Sequence, residues 1–314
     1  MTMSGFSTMT LLIGGVAILL TVASLIGWIL GRRVSSDSGR ATVANLNARI
    51  KAWWVMVAIF AVAFIFGKGV TILLFALTSF YCLREFLSIT PTHPSDHRAL
   101  VAAFYLFLPL QYWLVWINWV TMLTILIPVY AFLALPVLAV SRGVTGDYLA
   151  RVAKIQWGLM LAVFCISHAP ALLMLDLGGT PPVQLLFFLV TVAQMSDVLQ
   201  YVFGKLFGRT KIAPNVSPSK TLEGMIGGGL AATGVGAALW WITPFSPLQA
   251  AGMAAAIVVA GFFGGLVLSA VKRSLGAKDW GAMIEGHGGA LDRMDSVTFA
   301  APLFFHLVNY FFAR

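Results

Sequence analysis

Apolar residues in this chain neither alternate nor fall into one-sided helical stripes. They come in blocks of about 20, the length a helix needs to cross a hydrocarbon layer roughly 30 Å thick, and short polar breaks separate them. Read as helices, the blocks predict about ten, near residues 8–30, 52–67, 70–88, 99–117, 119–140, 152–175, 182–203, 224–243, 248–271 and 296–313. Only Gly67-Lys68-Gly69 divides the second from the third. The expected fold class is all-α, a polytopic integral membrane helix bundle.

Composition agrees with the pattern. Hydrophobic residues make up 60% of the chain and charged ones 10%, with a mean hydropathy of +0.91, which excludes an ordinary soluble domain. The loops after helices 1, 3, 5, 7 and 9 hold 18 of the 20 Lys and Arg, leaving Lys68 and Arg314 for the other side. By the positive-inside rule this puts the basic loops in the cytosol and both termini outside. The net charge of +9 therefore needs no nucleic acid to explain it. The first block is not expected to be a cleaved signal peptide, because nothing basic precedes it and Gly31-Arg32-Arg33 ends it. Cys82 and Cys165 fall inside predicted helices without metal or redox spacing and read as buried structural thiols.

Polar residues in the first half support plain readings. Gly31–Lys51, with Arg32, Arg33, Arg40, Arg49 and Lys51, reads as a connection anchored at an anionic membrane surface. His93 and His97 lie i, i+4 in Arg84–Arg98, but Pro91 and Pro94 argue for an ordinary surface loop. The chemistry is expected in residues 181–314, with residues 1–180 forming about six membrane helices.

Three stretches carry that chemistry. Helix 7 holds Gln194, Asp197 and Tyr201 at i, i+3, i+7, which puts them on one face. A carboxylate at that depth is costly unless it faces a polar interior. The next loop contains Ser217-Pro218-Ser219-Lys220-Thr221-Leu222-Glu223-Gly224. Its Ser-Pro reads as a turn or helix entry whose free amides, with Lys220, suit a phosphate. The third stretch, Ser269–Ser296, packs four cations, four carboxylates and a histidine between two apolar runs. There Lys272 and Arg273 leave the membrane, Lys278-Asp279 follow, and Gly286-His287-Gly288-Gly289 gives a backbone able to approach a ligand closely. Asp292 and Asp295 point the same way if helix 10 begins before them. Asp279, Asp292 and Asp295 suit a hard cation such as Mg2+, which takes one or two carboxylates plus water and phosphate oxygens. Arg293 offers a planar fork to phosphate.

Ser269-x-x-Lys272-Arg273-x4-Lys278-Asp279, followed by His287-Gly288-Gly289-x-x-Asp292-Arg293-x-Asp295, resembles the signature of the phosphatidate cytidylyltransferases, or CDP-diacylglycerol synthases. Asp197, Gly204, Gly208 and the Ser217–Gly224 block resemble that family's second motif. The likeness covers roughly the last 120 residues, with two departures: Glu285 where the family usually has Pro, and Ala290 where a bulky apolar residue is common. The resemblance implies a membrane enzyme that joins CTP to phosphatidate, releasing pyrophosphate. It also implies Mg2+ held by the matching aspartates, with a second, monovalent ion such as K+ nearby.

On this reading Lys272, Asp279, Asp292 and Asp295 are catalytic, and the metal ligands are Asp279, Asp292 and Asp295. Substrate contacts are expected from Asp197, Ser217, Lys220, Thr221, Arg273, Lys278, His287, Gly288, Gly289 and Arg293. Asp197, Lys220, Lys272, Asp279, Asp292 and Asp295 are expected to line one cavity, open to cytosol and sideways to lipid. The expected setting is a bacterial inner membrane, with CTP, phosphatidate and membrane lipids as partners and a homodimer compatible with the chain. The rival readings are a CTP-dependent lipid kinase of the polyprenol or dolichol type and a transporter of an anionic substrate. A transporter would favour inverted repeats or paired broken helices, and the chain has no obvious repeat.

Overall fold

A computed structural model describes residues 3–33, 37–281 and 288–313. Ten long helices follow in order: α1 (Met3–Arg33), α2 (Asp37–Phe66), α3 (Lys68–Ile89), α4 (Pro94–Trp116), α5 (Val120–Val140), α6 (Tyr148–Met174), α7 (Pro182–Phe207), α8 (Gly224–Ala238), α9 (Pro247–Ser274) and α10 (Leu291–Phe311). Among the described residues eight of them, all but α8 and α10, are long and apolar enough to cross a membrane. The bundle is that of a polytopic helical membrane protein. Between α7 and α8 lies a small antiparallel hairpin, β1 (Lys211–Ala213) and β2 (Ser217–Thr221).

Local chemistry sets the boundaries. Gly67, with φ +89°, breaks the run between α2 and α3 at a backbone angle that disfavours other residues. Ser246 starts α9 with a capping box: its hydroxyl accepts from Gln249 N, and the Gln249 side chain accepts from Ser246 N.

Three expectations need correction. The polar connection Gly31–Lys51 is largely helix, because α2 begins at Asp37. Its 30 residues extend about 45 Å at 1.5 Å per residue, and its stretch long and apolar enough to cross a membrane is Leu46–Phe66. The Arg84–Arg98 loop is also mostly helical: α3 runs through Ile89, and Pro94 opens the next helical turn, where a missing N–H costs nothing. There Asp96 and Arg151 form a buried ion pair at 3.1 Å. Finally, Ser217-Pro218 enters a strand rather than a helix, since Pro is tolerated in a two-stranded edge. Cys82 is buried and Cys165 half-buried, both as free thiols.

Packing is tightest among α7, α8, α9 and α10, with α3 and α6 against the far side of α10. Small residues allow it. A Cβ on Gly236 of α8 would collide with Ala254 of α9, and one on Gly264 would lie 2.8 Å from the Asp295 carbonyl of α10. Such close approach is how membrane helices gain van der Waals contact without a hydrophobic driving force.

Candidate active site

The small-residue face of α9 decides where charge can be housed. Gly264 seats the α10 backbone, and one residue on, Gly265 leaves a gap that the Lys220 ammonium fills; a Cβ there would sit 2.8 Å from Lys220 Nζ. Lys220 reaches in from β2, donates to the Phe262 carbonyl at 3.1 Å and lies 4.6 Å from the centre of the Phe262 ring. Burial pulls its pKa below the ordinary lysine value, while the charges of Asp295 and Asp197 oppose that pull.

Asp295 is the carboxylate facing this ammonium, with Lys272 and Asp292 also within its electrostatic reach. Asp197 comes from α7. The Ser296 hydroxyl stands 2.8 Å from both of its oxygens, and Asp295, Lys220 and Arg293 are its charged neighbours. One turn earlier on the same face, Gln194 donates to the Arg293 carbonyl at 3.3 Å. A pocket of about 190 Å³ opens here, lined by Asp197, Gln200, Tyr201, Ser219, Lys220, Thr221, Met225 and Phe262.

Lys272 and Asp292 form the second charged pair. Lys272 Nζ donates to Asp292 Oδ1 at 2.5 Å, both side chains being about nine-tenths buried. The other oxygen, Oδ2, accepts the Trp280 and Gly289 amides, each at 2.9 Å. Asp292 thus ties the end of α9, the start of the loop and the start of α10 to one carboxylate. Gly288 has φ +78°, and a Cβ there would lie 2.7 Å from Asp292 Oδ2 and 3.5 Å from Asp279 Cβ. Asp279 and Lys278 are exposed beside this knot.

The structure brings these residues together in two groups. Asp197, Lys220 and Asp295 meet at the pocket side, and Lys272, Asp292, Asp279 and Gly288 at the loop side. Of the residues expected to line one cavity, only Asp197 and Lys220 line the pocket itself. Among the described residues no three metal-ligating side chains converge on one point, so Asp279, Asp292 and Asp295 do not form a three-carboxylate cage. Two carboxylates, Asp197 and Asp295, remain within reach of one another, and a magnesium ion completed by water and phosphate oxygens asks for no more.

Other expected contacts hold the frame. Arg273 donates to the carbonyls of Val216 and Ala277, pinning hairpin to loop. Thr221 Oγ1 accepts the Gly224 amide at 3.1 Å, filling space that a Cβ on Gly208 would take. Ser217 is buried at the start of β2. Glu223 binds the amides of Arg209 and Thr210, which hold its carboxyl at about 2. Arg293 lines an apolar pocket with Gln194, Val16, Trp53, Phe60 and Phe75, bounded by α1, α2 and α3. His287 and Glu285 lie outside the described residues.

Glu85 was not anticipated. It stands on α3, 8% exposed, and accepts the Ala290 and Leu291 amides at 2.9 Å each. Beside it Phe86 stacks on the fully buried Trp280, ring centres 5.1 Å apart. The first half thus supports the charged loop directly. An acidic residue in an apolar helix was the only signal, and nothing in it pointed to position 290.

A family model described as the cytidylyltransferase family matches residues 47–311. The uncharacterized protein YnbB of Escherichia coli is 37% identical over 300 residues, covering 93% of this chain and 95% of that protein. A phosphatidate cytidylyltransferase of Synechocystis is 39% identical over 117 residues, 36% of this chain and 39% of its own. The phosphatidate cytidylyltransferase of Staphylococcus aureus (strain COL) is 39% identical over 114 residues, 36% of this chain and 44% of its own. These two matches span less than half of the enzymes they reach.

Proposed function

The chain belongs to the cytidylyltransferase family and is a nucleotidyltransferase of phospholipid biosynthesis, and from that premise we propose that it joins CTP to phosphatidate to form CDP-diacylglycerol. A non-bridging oxygen of the lipid phosphomonoester attacks the α-phosphorus of CTP. The bond from that phosphorus to the oxygen bridging to the β-phosphorus breaks, and pyrophosphate leaves with the electron pair. The nucleophile is already substantially ionised near neutral pH, its second pKa being about 6, so no strong base is needed. The barrier lies in bringing two polyanions together.

The observation that carries this reading is the convergence of Lys220, Asp295 and Asp197 beside a pocket, one helical turn from the Lys272–Asp292 pair. Lys220 and Lys272 would neutralise phosphate oxygens as charge shifts toward the leaving group. Asp295 and Asp197 would hold Mg2+, which supplies further neutralisation of the triphosphate. Tyr201 and Phe262 give the pocket aromatic walls suited to a flat base. The apolar slot beyond Gln194 and Arg293 suits an acyl chain. The 18 basic residues that a ten-crossing topology would gather on one side support a site facing the cytosol of a bacterial inner membrane.

Inside-out membrane vesicles supplied with labelled CTP and phosphatidate test both reaction and side. CDP-lipid and pyrophosphate are expected there, with none in right-side-out vesicles. Release of CDP with a phosphorylated lipid alcohol would replace this reading by the lipid kinase. No CTP consumption in either orientation would remove both.

A pH profile tests Lys220. A lysine is charged below its pKa, so a lowered pKa means charge is lost earlier as pH rises. The kcat/KM profile is expected to fall on its alkaline side, and Lys220→Arg to carry that fall upward by at least about one pH unit, guanidinium staying charged to about pH 12. An alkaline limb identical in the two proteins would separate it from Lys220.

A further inference from the structure

We propose that Glu85 is a positioning residue that holds the two flanks of the connection from α9 to α10, at Trp280-Gly281 and at Gly289–Leu291, in place beside Asp279 and Asp292. The inference rests on the reaction proposed above and goes beyond it to a residue in the first half of the chain. The start of a helix leaves backbone amides without partners, and an anion is drawn to them. In α10 the Ala290 and Leu291 amides are taken by the two oxygens of Glu85, one each, at 2.9 Å. The amides of Trp280 and Gly289 are taken by Asp292. Two carboxylates, one from α3 and one from α10 itself, thus share four amides on the two flanks of the loop.

Glu85 also fits its place by shape. A Cβ on Gly281 would come within 2.9 Å of Glu85 Oε1, and one on Gly289 would overlap the carboxylate outright. The loop therefore passes this side chain at backbone contact both where it leaves and where it returns. Next to it the Phe86–Trp280 stack fixes the departing strand of the loop from the same helix. Gly158 of α6 seats Phe86 in turn, since a Cβ there would lie 2.9 Å from its ring. Helix α3 receives both flanks of the loop, and Glu85 is its polar contact.

Gln in place of Glu keeps the size but turns an N–H2 toward one of the two amides, so one bond is lost and two donors face each other. The residues set loose are those beside Asp279 and Asp292, not the Asp197–Lys220–Asp295 group.

The test compares wild type with Glu85→Gln and Glu85→Asp in lipid nanodiscs. Amide hydrogen exchange followed by mass spectrometry is expected to quicken at least about tenfold over residues 278–281 and 288–292 in Glu85→Gln, with residues 297–311 unchanged. Unaltered exchange at Ala290 and Leu291 overturns the proposal, as does uniform quickening along α10, which marks a general loss of fold. With Mg2+ saturating, the concentration of CTP giving half-maximal CDP-lipid formation is expected to rise about tenfold in Glu85→Gln, because Lys272, proposed to neutralise phosphate oxygens, is paired with Asp292 on the loosened side. A lowered maximal rate at unchanged half-saturation, the sign of less folded protein, also overturns it. Glu85→Asp, which keeps the charge but falls short of both amides, should behave like Glu85→Gln; full activity in it would show that charge near α10 suffices without the bonds. Failure of wild type to form CDP-lipid would end the reaction proposed above, and the exchange measurement would still decide the role of Glu85.

Discussion

Asp295→Asn is expected to lower CDP-lipid formation by about a thousandfold while leaving the bundle folded. Asn matches the volume, so the seat on Gly264 is kept. What is lost is the negative charge facing Lys220, itself held between the Phe262 carbonyl and ring. Without it the ammonium loses its main counter-charge, and the partnership with Asp197 that suits a divalent cation is broken. Removing one group that stabilises developing charge in a preorganised site costs about 10²–10³ in rate, and loss of a metal hold adds to that. Asp197→Asn, which keeps an acceptor for the Ser296 hydroxyl, should follow the same pattern. Initial rates with labelled CTP, beside thermal unfolding in detergent, make the measurement. A variant keeping more than about a tenth of wild-type activity would take Asp295 out of the site.

Asp292→Ala is expected to cost both activity and fold. It leaves the Lys272 ammonium, 9% exposed, without its partner, and orphans the Trp280 and Gly289 amides. Breaking one member of a buried pair costs about 3–5 kcal/mol, and each stranded amide about 1–3 kcal/mol more, shared out as the loop relaxes toward water. The result should be a fall in unfolding temperature together with activity near background. The Lys272→Met, Asp292→Leu double variant separates the two effects. Replacing both charges by apolar groups of similar size is often neutral for stability, so it should recover the part of the unfolding temperature lost with the ion pair, but not the part lost with the two amides, and without activity. Normal stability in Asp292→Ala itself would mean that the knot contributes little to folding.

Much of this was legible along the chain, because a bilayer imposes length and hydropathy on every crossing helix. The helix blocks, the break at Gly67 and the i, i+3 face of Asp292 and Asp295 follow from local pattern, and the motif at 269–296 singled out the charged loop. Local pattern also misjudged boundaries where polar residues are helical, as in Asp37–Lys51. Propensity permits a helix there, while hydropathy sees only a loop.

What the sequence determined by itself is the kind of molecule and where its densest charge lies: a helical membrane protein whose Lys272, Arg273, Lys278, Asp279, Asp292, Arg293 and Asp295 fall in one short stretch between two apolar runs. What only the tertiary structure decided is their division of labour. Asp292 and Asp295 are three residues apart, yet one is spent on Lys272 and two amides and the other faces Lys220. Glu85 meets Ala290 across 205 positions of sequence. Hydrogen bonds of that kind depend on which helices pack together, and close packing here depends on glycines such as Gly264 and Gly265, whose partners no periodicity reveals.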